Sequence, residues 1–243
     1  MNQVVTATPG AFRSVVVTGV ARPGQLGDVI ARAFALRGDR VCIVARSITD
    51  ATARASEMRG DQLDAHPFAC DLTDPTATTE LARQVLDGAG RVDALVNVAG
   101  GFALSGPVAD SDPAVWSQQI AINLGTAYAT TRAFLPALRT TKGNVVFVAS
   151  SAALPGARVR HAAAYAVAKS GVLTLMRAVA QEEQANDVRS NAVAPGTVRT
   201  RDNVAAMPAG TRFVEPESIA AAILFLCSPQ ALQITGQVIE LTP

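Results

Sequence analysis

The sequence carries almost no net charge, because 21 Lys and Arg residues nearly balance 20 Asp and Glu residues and leave a net charge of +1. A chain without a basic excess lacks the electrostatic footprint of proteins that bind nucleic acid or anionic membrane surfaces. It also lacks any apolar run that approaches the roughly 20 residues a membrane-spanning helix needs. These absences argue against nucleic acid and membrane as partners.

Cysteine and histidine are scarce, with three and two residues respectively. The cysteines Cys42, Cys70 and Cys227 are isolated, and an odd number without paired spacing does not fit a disulfide framework or a metal site. Two histidines are too few for a His-based metal centre. We therefore expect buried thiols, no metal and the reducing environment of the cytoplasm.

The first residues, 1–12, lack the charged and apolar regions of a signal peptide. Their polar, Pro- and Gly-containing composition predicts a flexible N-terminal tail. The whole chain is 49% apolar, which is enough to bury a sizeable core. Since nothing marks a second domain, residues 13–243 are expected to form one domain.

Short apolar, β-branched segments alternate with segments of helical periodicity. The strand-like segments are residues 14–17, 41–45, 94–98, 144–149 and 237–241, with weaker ones at 66–70 and 188–193. Helical periodicity begins near Gln25 and recurs at about 76–89, 113–139, 163–186 and 216–228. The strands are nearly all apolar, as expected where helices cover both faces of a sheet. The pattern predicts an α/β fold, a doubly wound three-layer sandwich around a seven-stranded parallel sheet.

A glycine-rich stretch, T-G-V-A-R-P-G-Q-L-G at 18–27, follows the first strand. Gly19 would allow a tight turn, Gly24 the close approach of a phosphate, and Gly27 the packing of helix on strand. The helix that begins there would direct its free N–H groups at a pyrophosphate. The spacing matches no common dinucleotide fingerprint residue for residue, so a surface turn shaped by Pro23 stays an alternative.

The residues after the second strand indicate which dinucleotide this loop would bind. Folds that bind NAD commonly place Asp or Glu there to hold the ribose 2′-hydroxyl, whereas this chain has Ala45 followed by Arg46. Arg46 and Arg22 would suit a 2′-phosphate, because guanidinium binds phosphate in a bidentate manner. The alternative is that both arginines are solvated surface residues.

Tyr165 and Lys169 are catalytic candidates. They occur as Y-A-V-A-K after Ser150 and Ser151, and residues four apart share one face of a helix. A fixed positive charge would lower the pKa of the Tyr165 phenol and make it an acid or base near neutral pH. A serine hydroxyl at the neighbouring strand end could hold a substrate oxygen. The plain alternative is an ordinary pair on a helix surface.

With these motifs in one order, the chain after residue 12 resembles the single-domain short-chain dehydrogenases/reductases, in particular ketoreductases such as the 3-oxoacyl-carrier-protein reductases. The matching segments are T-G-x(4)-G-x(2)-G at 18–27, C-D-L at 70–72, N-V-A-G at 97–100, A-I-N at 121–123, S-S at 150–151, Y-A-V-A-K at 165–169 and N-A-V-A-P-G-T-V-R-T at 191–200. The resemblance implies a Rossmann-like fold and an oxidoreductase.

The resemblance also implies a role for each catalytic position. Tyr165 would protonate the carbonyl oxygen in reduction or act as the base in alcohol oxidation. Lys169 would lower the pKa of Tyr165 and hydrogen-bond the nicotinamide ribose. Asn123 would hold a water that links Lys169 to solvent for a proton relay.

The serine that orients the substrate oxygen is assigned to Ser151. It is preferred to Ser150 because the family's serine usually directly precedes small residues, here Ala152 and Ala153. The choice is open by one position, since the stretch up to Tyr165 is one residue longer than usual.

The resemblance places the cofactor-binding residues along the same edge of the sheet. They are Gly19, Arg22, Gly24, Leu26, Gly27, Arg46, Asp71, Leu72, Asn97, Ala99, Gly100, Tyr165, Lys169, Pro195, Gly196, Val198 and Thr200. Asp71 would border the adenine, Pro195, Gly196 and Thr200 would meet the nicotinamide or a phosphate, and the backbone of Val198 would contact the carboxamide.

Three departures from the family pattern bear on the substrate. The glycine loop is two residues longer than the common form, the segment 201–215 that normally carries the substrate lid is short, and no glycine-rich tail follows I-T-G-Q-V-I-E-L-T-P. Together they predict a wide site for a bulky or carrier-bound ketone. A lid supplied by a neighbouring subunit is the alternative.

The favoured function is an NADP(H)-dependent carbonyl reductase acting on a small-molecule ketone. Alternatives are an NAD(H)-dependent alcohol dehydrogenase and a non-catalytic nucleotide-binding regulatory protein, which would have no need of the Tyr165–Lys169 pair. Enoyl-reductase relatives place these two residues farther apart, which disfavours alkene reduction. Alanine-rich faces at 121–133 and 162–168 predict a homodimer or homotetramer.

Overall fold

The structure, a computed structural model, describes residues 13–243, so the predicted tail at 1–12 lies outside the described residues. The strands are β1 (Ser14–Thr18), β2 (Arg40–Ala45), β3 (Ala65–Ala69), β4 (Ala94–Asn97), β5 (Asn144–Val148), β6 (Arg189–Pro195) and β7 (Val238–Leu241). The helices are α1 (Leu26–Leu36), α2 (Ile48–Gly60), α3 (Pro75–Ala89), α4 (Pro113–Ile120), α5 (Thr126–Thr141), α6 (Ala163–Glu182), α7 (Arg201–Ala206) and α8 (Pro216–Leu226).

The seven strands form one sheet in the order β3-β2-β1-β4-β5-β6-β7. Every neighbouring pair runs parallel, which confirms the predicted doubly wound, Rossmann-like sheet. The order reverses between β1 and β4, because the chain moves outward from β1 to β3 and then crosses to the other side. At such a reversal the loops beyond the carboxyl ends of the strands diverge and leave a crevice.

Both faces of the sheet are apolar, since successive side chains of a strand point to opposite faces. Val15 and Val17 of β1 pack with α1, α2 and α8, whereas Val16 packs with α3, α5 and α6. Burial of each such side chain contributes about 1.5–3 kcal/mol relative to exposure. The sheet is therefore a rigid base that fixes the positions of the loops at its carboxyl edge.

Two helices were not predicted, and one predicted helix is interrupted. Helix α2 buries little apart from Ala51, Arg54, Ala55 and Met58, and α7 buries no residue, so neither shows a clear apolar stripe. The predicted helix at 113–139 is divided into α4 and α5 by a π-helical segment, Ala121–Gly125. Such segments arise where one extra residue is accommodated in a helix, often at a functional site.

Within residues 13–243, no helix is long and apolar enough to cross a membrane, and no three His, Cys, Asp or Glu side chains lie together in a way that could hold a metal ion. The three cysteines are buried and free. Burial raises the pKa of the Cys42 thiol to about 12 and that of Cys227 to about 11. These two thiols therefore stay protonated and unreactive near neutral pH.

Candidate active site

The glycine loop joins β1 to α1 at the reversal of strand order. Gly19 has a φ of +75°, and a Cβ there would stand 2.9 Å from the backbone N and Cα of Ala99. At Gly27 a Cβ would overlap the carbonyl oxygen of Gly19, because α1 packs directly on the turn. Both positions require glycine, for the tight turn and for the close helix packing that a dinucleotide cradle needs.

Thr18, the last residue of β1, fixes this loop to the turn after β4. Its hydroxyl accepts hydrogen bonds from the N–H groups of Val98 and Ala99, each at 3.0 Å, and contacts the carbonyl oxygen of Val96 at 3.4 Å. The two turns therefore form one continuous wall of the crevice.

The N-terminus of α1 opens onto the glycine loop. Its N-cap, Gln25, makes no side-chain capping bond, whereas the carboxylate of Asp28 in the first turn accepts a 2.8 Å hydrogen bond from the Gly24 N–H. The first N–H groups of a helix have no partner inside the helix, so this terminus suits the pyrophosphate of a dinucleotide. Asp28 was not identified from the sequence, although acidic residues are favoured in the first turn of a helix.

The two arginines near the expected adenosine ribose have different surroundings. Arg46 is exposed directly after β2 and forms no salt bridge within residues 13–243. The Arg22 guanidinium contacts the Asp202 carboxylate of α7 at 2.7 Å, with the two side chains 71% and 58% exposed. Arg46 therefore has no carboxylate partner among the described residues, whereas Arg22 links the enlarged glycine loop to α7.

Three further predicted cofactor positions flank the crevice. Asp71 is exposed, and hydrogen bonds from Thr73, helped by the charge of Arg46, lower the pKa of its carboxyl group. Leu72 is buried in the apolar core. The Asn97 side chain is held by the Thr130 and Thr131 hydroxyls of α5, at 2.6 and 3.1 Å. Contact of Leu72 or Asn97 with a dinucleotide would therefore use the backbone.

The segment after β6, where the sequence predicts a short lid, is tied to the sheet and to itself by backbone contacts. Gly196 N–H donates to the carbonyl oxygen of Leu241 at 2.9 Å, and Val198 forms an isolated parallel bridge with Val214 that closes the base of the segment. The Thr200 hydroxyl caps α7 by accepting a 3.2 Å hydrogen bond from the Asn203 N–H. Pro195 ends β6, so the predicted nicotinamide positions follow one another around this turn.

Tyr165 and Lys169 lie one turn apart near the start of α6. The Lys169 Nζ is 5.9 Å from the centroid of the Tyr165 ring and donates a 2.8 Å hydrogen bond to the carbonyl oxygen of Val148, the last residue of β5. Lys169 is only 5% exposed, and burial lowers the pKa of its ammonium group to about 8.

The pKa of Tyr165 differs from the expectation. Burial raises the pKa of the phenol, and the Ser150 hydroxyl lowers it by a smaller amount. The hydrogen bond of Lys169 goes to the Val148 carbonyl and not to the phenol. Near neutral pH the phenol is therefore protonated and can donate a proton.

Ser150 and Ser151 face different groups. Ser150 is the serine beside the Tyr165 phenol, and its hydroxyl also accepts a 3.2 Å hydrogen bond from the Ala152 N–H. Ser151 begins a short 3₁₀ turn and lines a cavity of about 340 Å³ together with Glu240 and the loop at 154–158. The structure thus brings Ser150 to Tyr165, whereas Ser151 is the serine expected from the sequence.

Asn123 lies in the π-helical segment between α4 and α5. Its side-chain amide forms two hydrogen bonds with the backbone of Gly101. The Oδ1 atom accepts from the Gly101 N–H at 3.2 Å, and Nδ2 donates to the Gly101 carbonyl at 2.9 Å. Gln119, one turn earlier and not identified from the sequence, also accepts from Nδ2. A Cβ on Gly100 would stand 2.5 Å from Asn123 Oδ1 and 3.5 Å from Lys169 Nζ, so both polar groups converge on this glycine.

One side of the crevice is thus a dinucleotide cradle, and the other carries a phenol, a hydroxyl and a buried ammonium. Gly24 has a φ of +68° and nothing within 4 Å of where its Cβ would stand, so this part of the loop leaves room for the close approach of a dinucleotide phosphate. A cofactor that carries hydride beside a protein group that carries a proton defines a nicotinamide-dependent oxidoreductase.

Comparison with known proteins agrees with this class. A family model described as Enoyl-(Acyl carrier protein) reductase matches residues 19–241. The chain belongs to the short-chain dehydrogenase/reductase family, and it is an oxidoreductase that acts on hydroxyl or keto groups of small molecules with a nicotinamide cofactor.

Two curated relatives and one solved structure illustrate the similarity. A protein of Streptomyces virginiae described as a ketoacyl reductase of the monensin polyketide synthase is 31% identical, with 96% of this chain and 97% of the relative covered. The D-threitol dehydrogenase of Mycolicibacterium smegmatis is 32% identical, with coverages of 90% and 87%. A short-chain dehydrogenase/reductase structure from Burkholderia xenovorans is 32% identical, with 94% of each chain covered and a TM-score of 0.84.

Proposed function

We propose that this chain is an NADPH-dependent carbonyl reductase that also catalyses the reverse oxidation of the alcohol. The observation that carries the proposal is the Tyr165 phenol beside the Ser150 hydroxyl, with the buried Lys169 one turn away. Reduction of a ketone adds hydride to carbon and a proton to oxygen, and these side chains can handle both the oxygen and the proton.

Each residue has a distinct task in this proposal. Ser150 would hold the substrate oxygen through a donated hydrogen bond, and Tyr165 would give that oxygen its proton. Lys169 would bind the ribose beside the nicotinamide and stabilise the phenolate that remains. The π-helical segment at Asn123 would position a water that returns the proton from solvent. The bound nicotinamide supplies the hydride.

The raised pKa of Tyr165 keeps the phenol in the protonated form that ketone reduction uses. Ketone reduction needs a protonated phenol, which burial maintains near neutral pH. Alcohol oxidation needs the phenolate, so oxidation should gain relative to reduction as the pH rises. The spacing of four residues between Tyr165 and Lys169 supports ketone rather than alkene reduction, although the matching family model is described by an enoyl reductase activity.

Replacing Ser150 tests the proposed position of the substrate oxygen. Ser150→Ala is expected to lower kcat/KM for ketone reduction by about a hundredfold, because one donor to the developing oxyanion is lost. Ser151→Ala is the matched control, with an expected change below about threefold, as for a surface substitution. Steady-state NADPH oxidation measures both variants, and the opposite order would assign the role to Ser151.

The cofactor preference is proposed to depend on Arg46. Arg46→Asp is expected to lower the ratio of kcat/KM for NADPH over NADH by about a hundredfold, since a carboxylate repels the 2′-phosphate and accepts a bond from a 2′-hydroxyl. Arg22→Gln should leave this ratio nearly unchanged, because Arg22 already pairs with Asp202. An unchanged ratio in Arg46→Asp would refute the assignment.

An NAD(H)-dependent alcohol dehydrogenase is the second candidate function. It is favoured by the Arg22–Asp202 salt bridge, which leaves Arg46 as the arginine without a carboxylate partner, among residues 13–243, near the expected adenosine ribose. One relative is named D-threitol dehydrogenase, so oxidation of a polyol is represented among similar proteins. Wild-type protein that turns over NADH as fast as NADPH would support this candidate.

The short segment between β6 and α8 bears on the size of the substrate. We propose a bulky or carrier-bound ketone, because the lid segment between β6 and α8 holds only the short helix α7. A lid completed by a neighbouring subunit, a homodimer or homotetramer, and a cytoplasmic location stay predictions from the sequence.

A further inference from the structure

Phe102 packs against the proposed acid, and the function proposed above gives it no role. Its ring centroid lies 5.0 Å from that of Tyr165, and the two rings are nearly perpendicular, at 86°. Perpendicular aromatic pairs of this kind are favourable. Phe102 is nevertheless 56% exposed, so much of its ring stays uncovered beside the phenol.

The loop that carries Phe102 is anchored on both sides. Asn123 holds the peptide of the preceding residue, Gly101, through two hydrogen bonds. Farther along the loop, the N–H and the hydroxyl of Ser105 both donate to the carbonyl oxygen of His161, at 2.7 and 3.3 Å. The backbone of Phe102 is therefore held in place, and its exposed ring is a preorganised surface.

Further exposed apolar side chains lie on the same edge of the sheet. Leu104 and Val108 belong to the loop after β4, and Val204 and Met207 belong to the lid segment after β6. Scattered exposed apolar residues need no explanation. Exposed apolar side chains on two loops that follow the carboxyl ends of neighbouring strands are typical of a site for an apolar ligand.

We infer that Phe102 is a specificity-determining residue that packs against a flat, cyclic apolar substituent of the substrate ketone. The inference rests on the proposed function, because it takes the substrate oxygen to be at Tyr165. A cyclic group next to that carbonyl covers the exposed part of the Phe102 ring. A small aliphatic ketone leaves the ring uncovered and gains nothing from it.

The test compares two ketones, the fused-ring aryl ketone tetralone and the small aliphatic diketone butanedione. Phe102→Ala is expected to lower kcat/KM for tetralone by about tenfold, mainly through a higher KM, because the ring contact is lost. For butanedione the change should stay within about threefold. Phe102→Leu keeps part of the apolar surface and should give an intermediate loss with tetralone.

Phe225→Ala is the matched control, since Phe225 is also an exposed phenylalanine but lies on α8, away from the carboxyl-edge loops. It should leave both ketones unaffected. An equal loss for both ketones in Phe102→Ala, or no loss with tetralone, would overturn the inference while leaving the proposed function intact. A wild-type protein that reduces butanedione but not tetralone would also overturn it. Failure of the wild type to reduce any ketone would instead contradict the proposed function, and the inference with it.

Discussion

Tyr165→Phe lowers kcat for ketone reduction by about a thousandfold, which is the expected loss when a positioned general acid is removed. Phenylalanine keeps the ring, so the perpendicular contact with Phe102 is preserved. The variant should therefore bind NADPH with a dissociation constant within about threefold of the wild-type value. Steady-state kinetics and a fluorescence titration with NADPH measure the two quantities separately.

Tyr128→Phe is the matched control for this prediction. Tyr128 is the other tyrosine of the chain, and it is exposed on α5. Its replacement should leave both kcat and NADPH binding at the wild-type level. If Tyr165→Phe kept full activity, another group would supply the proton and the proposed roles of Ser150 and Lys169 would lose their basis.

Lys169→Met is expected to abolish activity and at the same time to stabilise the fold near neutral pH. The pKa of Lys169 is lowered by burial from 10.5 to about 8, which corresponds to about 3 kcal/mol against folding where lysine is charged in the unfolded chain. The hydrogen bond to the Val148 carbonyl is lost in the variant, at a cost of about 1 kcal/mol. A net gain of about 2 kcal/mol in the free energy of unfolding follows.

The pH dependence of this gain has a defined sign. Below about pH 8 the wild-type lysine is charged in both states, so the full penalty of burying the charge is present. Between about pH 8 and 10.5 the unfolded chain binds more protons than the folded one, so wild-type stability rises relative to the variant. Above about pH 10.5 lysine is neutral in both states and the advantage of the variant disappears.

Urea unfolding of both proteins at several pH values measures this difference. Lys142→Met, at an exposed lysine that pairs with Asp187, is the control and should not gain stability near neutral pH. If Lys169→Met were destabilised near neutral pH, the buried ammonium would be a net stabilising group. Burial of the Lys169 charge would then not oppose folding, and the lowered pKa of Lys169 would be wrong.

The fold could be predicted from the sequence because apolar segments mark most of its strands and glycines mark its first turn. Most strands fall where β-branched runs lie, since helices cover both faces of the sheet, whereas β3 contains no β-branched residue. Helix α2 could not be found in this way, because it buries few side chains. The π-helical segment around Asn123 could not be found either, since it depends on how α4 and α5 join and not on a local pattern.

The candidate site was predictable in its residue types and less so in its contacts. Ser150 and Ser151 are neighbours, and only the start of the 3₁₀ turn determines which hydroxyl meets Tyr165. Arg22 was expected to bind the cofactor phosphate, but its partner Asp202 is 180 residues away in the sequence. A contact between distant loops of this kind leaves no periodic signal in the sequence.

The most direct test of the central claim is the position of hydride in the product of an unsaturated ketone. Wild-type protein is incubated with cyclohexenone and NADPH that carries deuterium at the transferable position, and the product is analysed by mass spectrometry and NMR. Carbonyl reduction predicts the allylic alcohol with deuterium on the carbinol carbon. A saturated ketone with deuterium on the β-carbon would show alkene reduction and contradict the account.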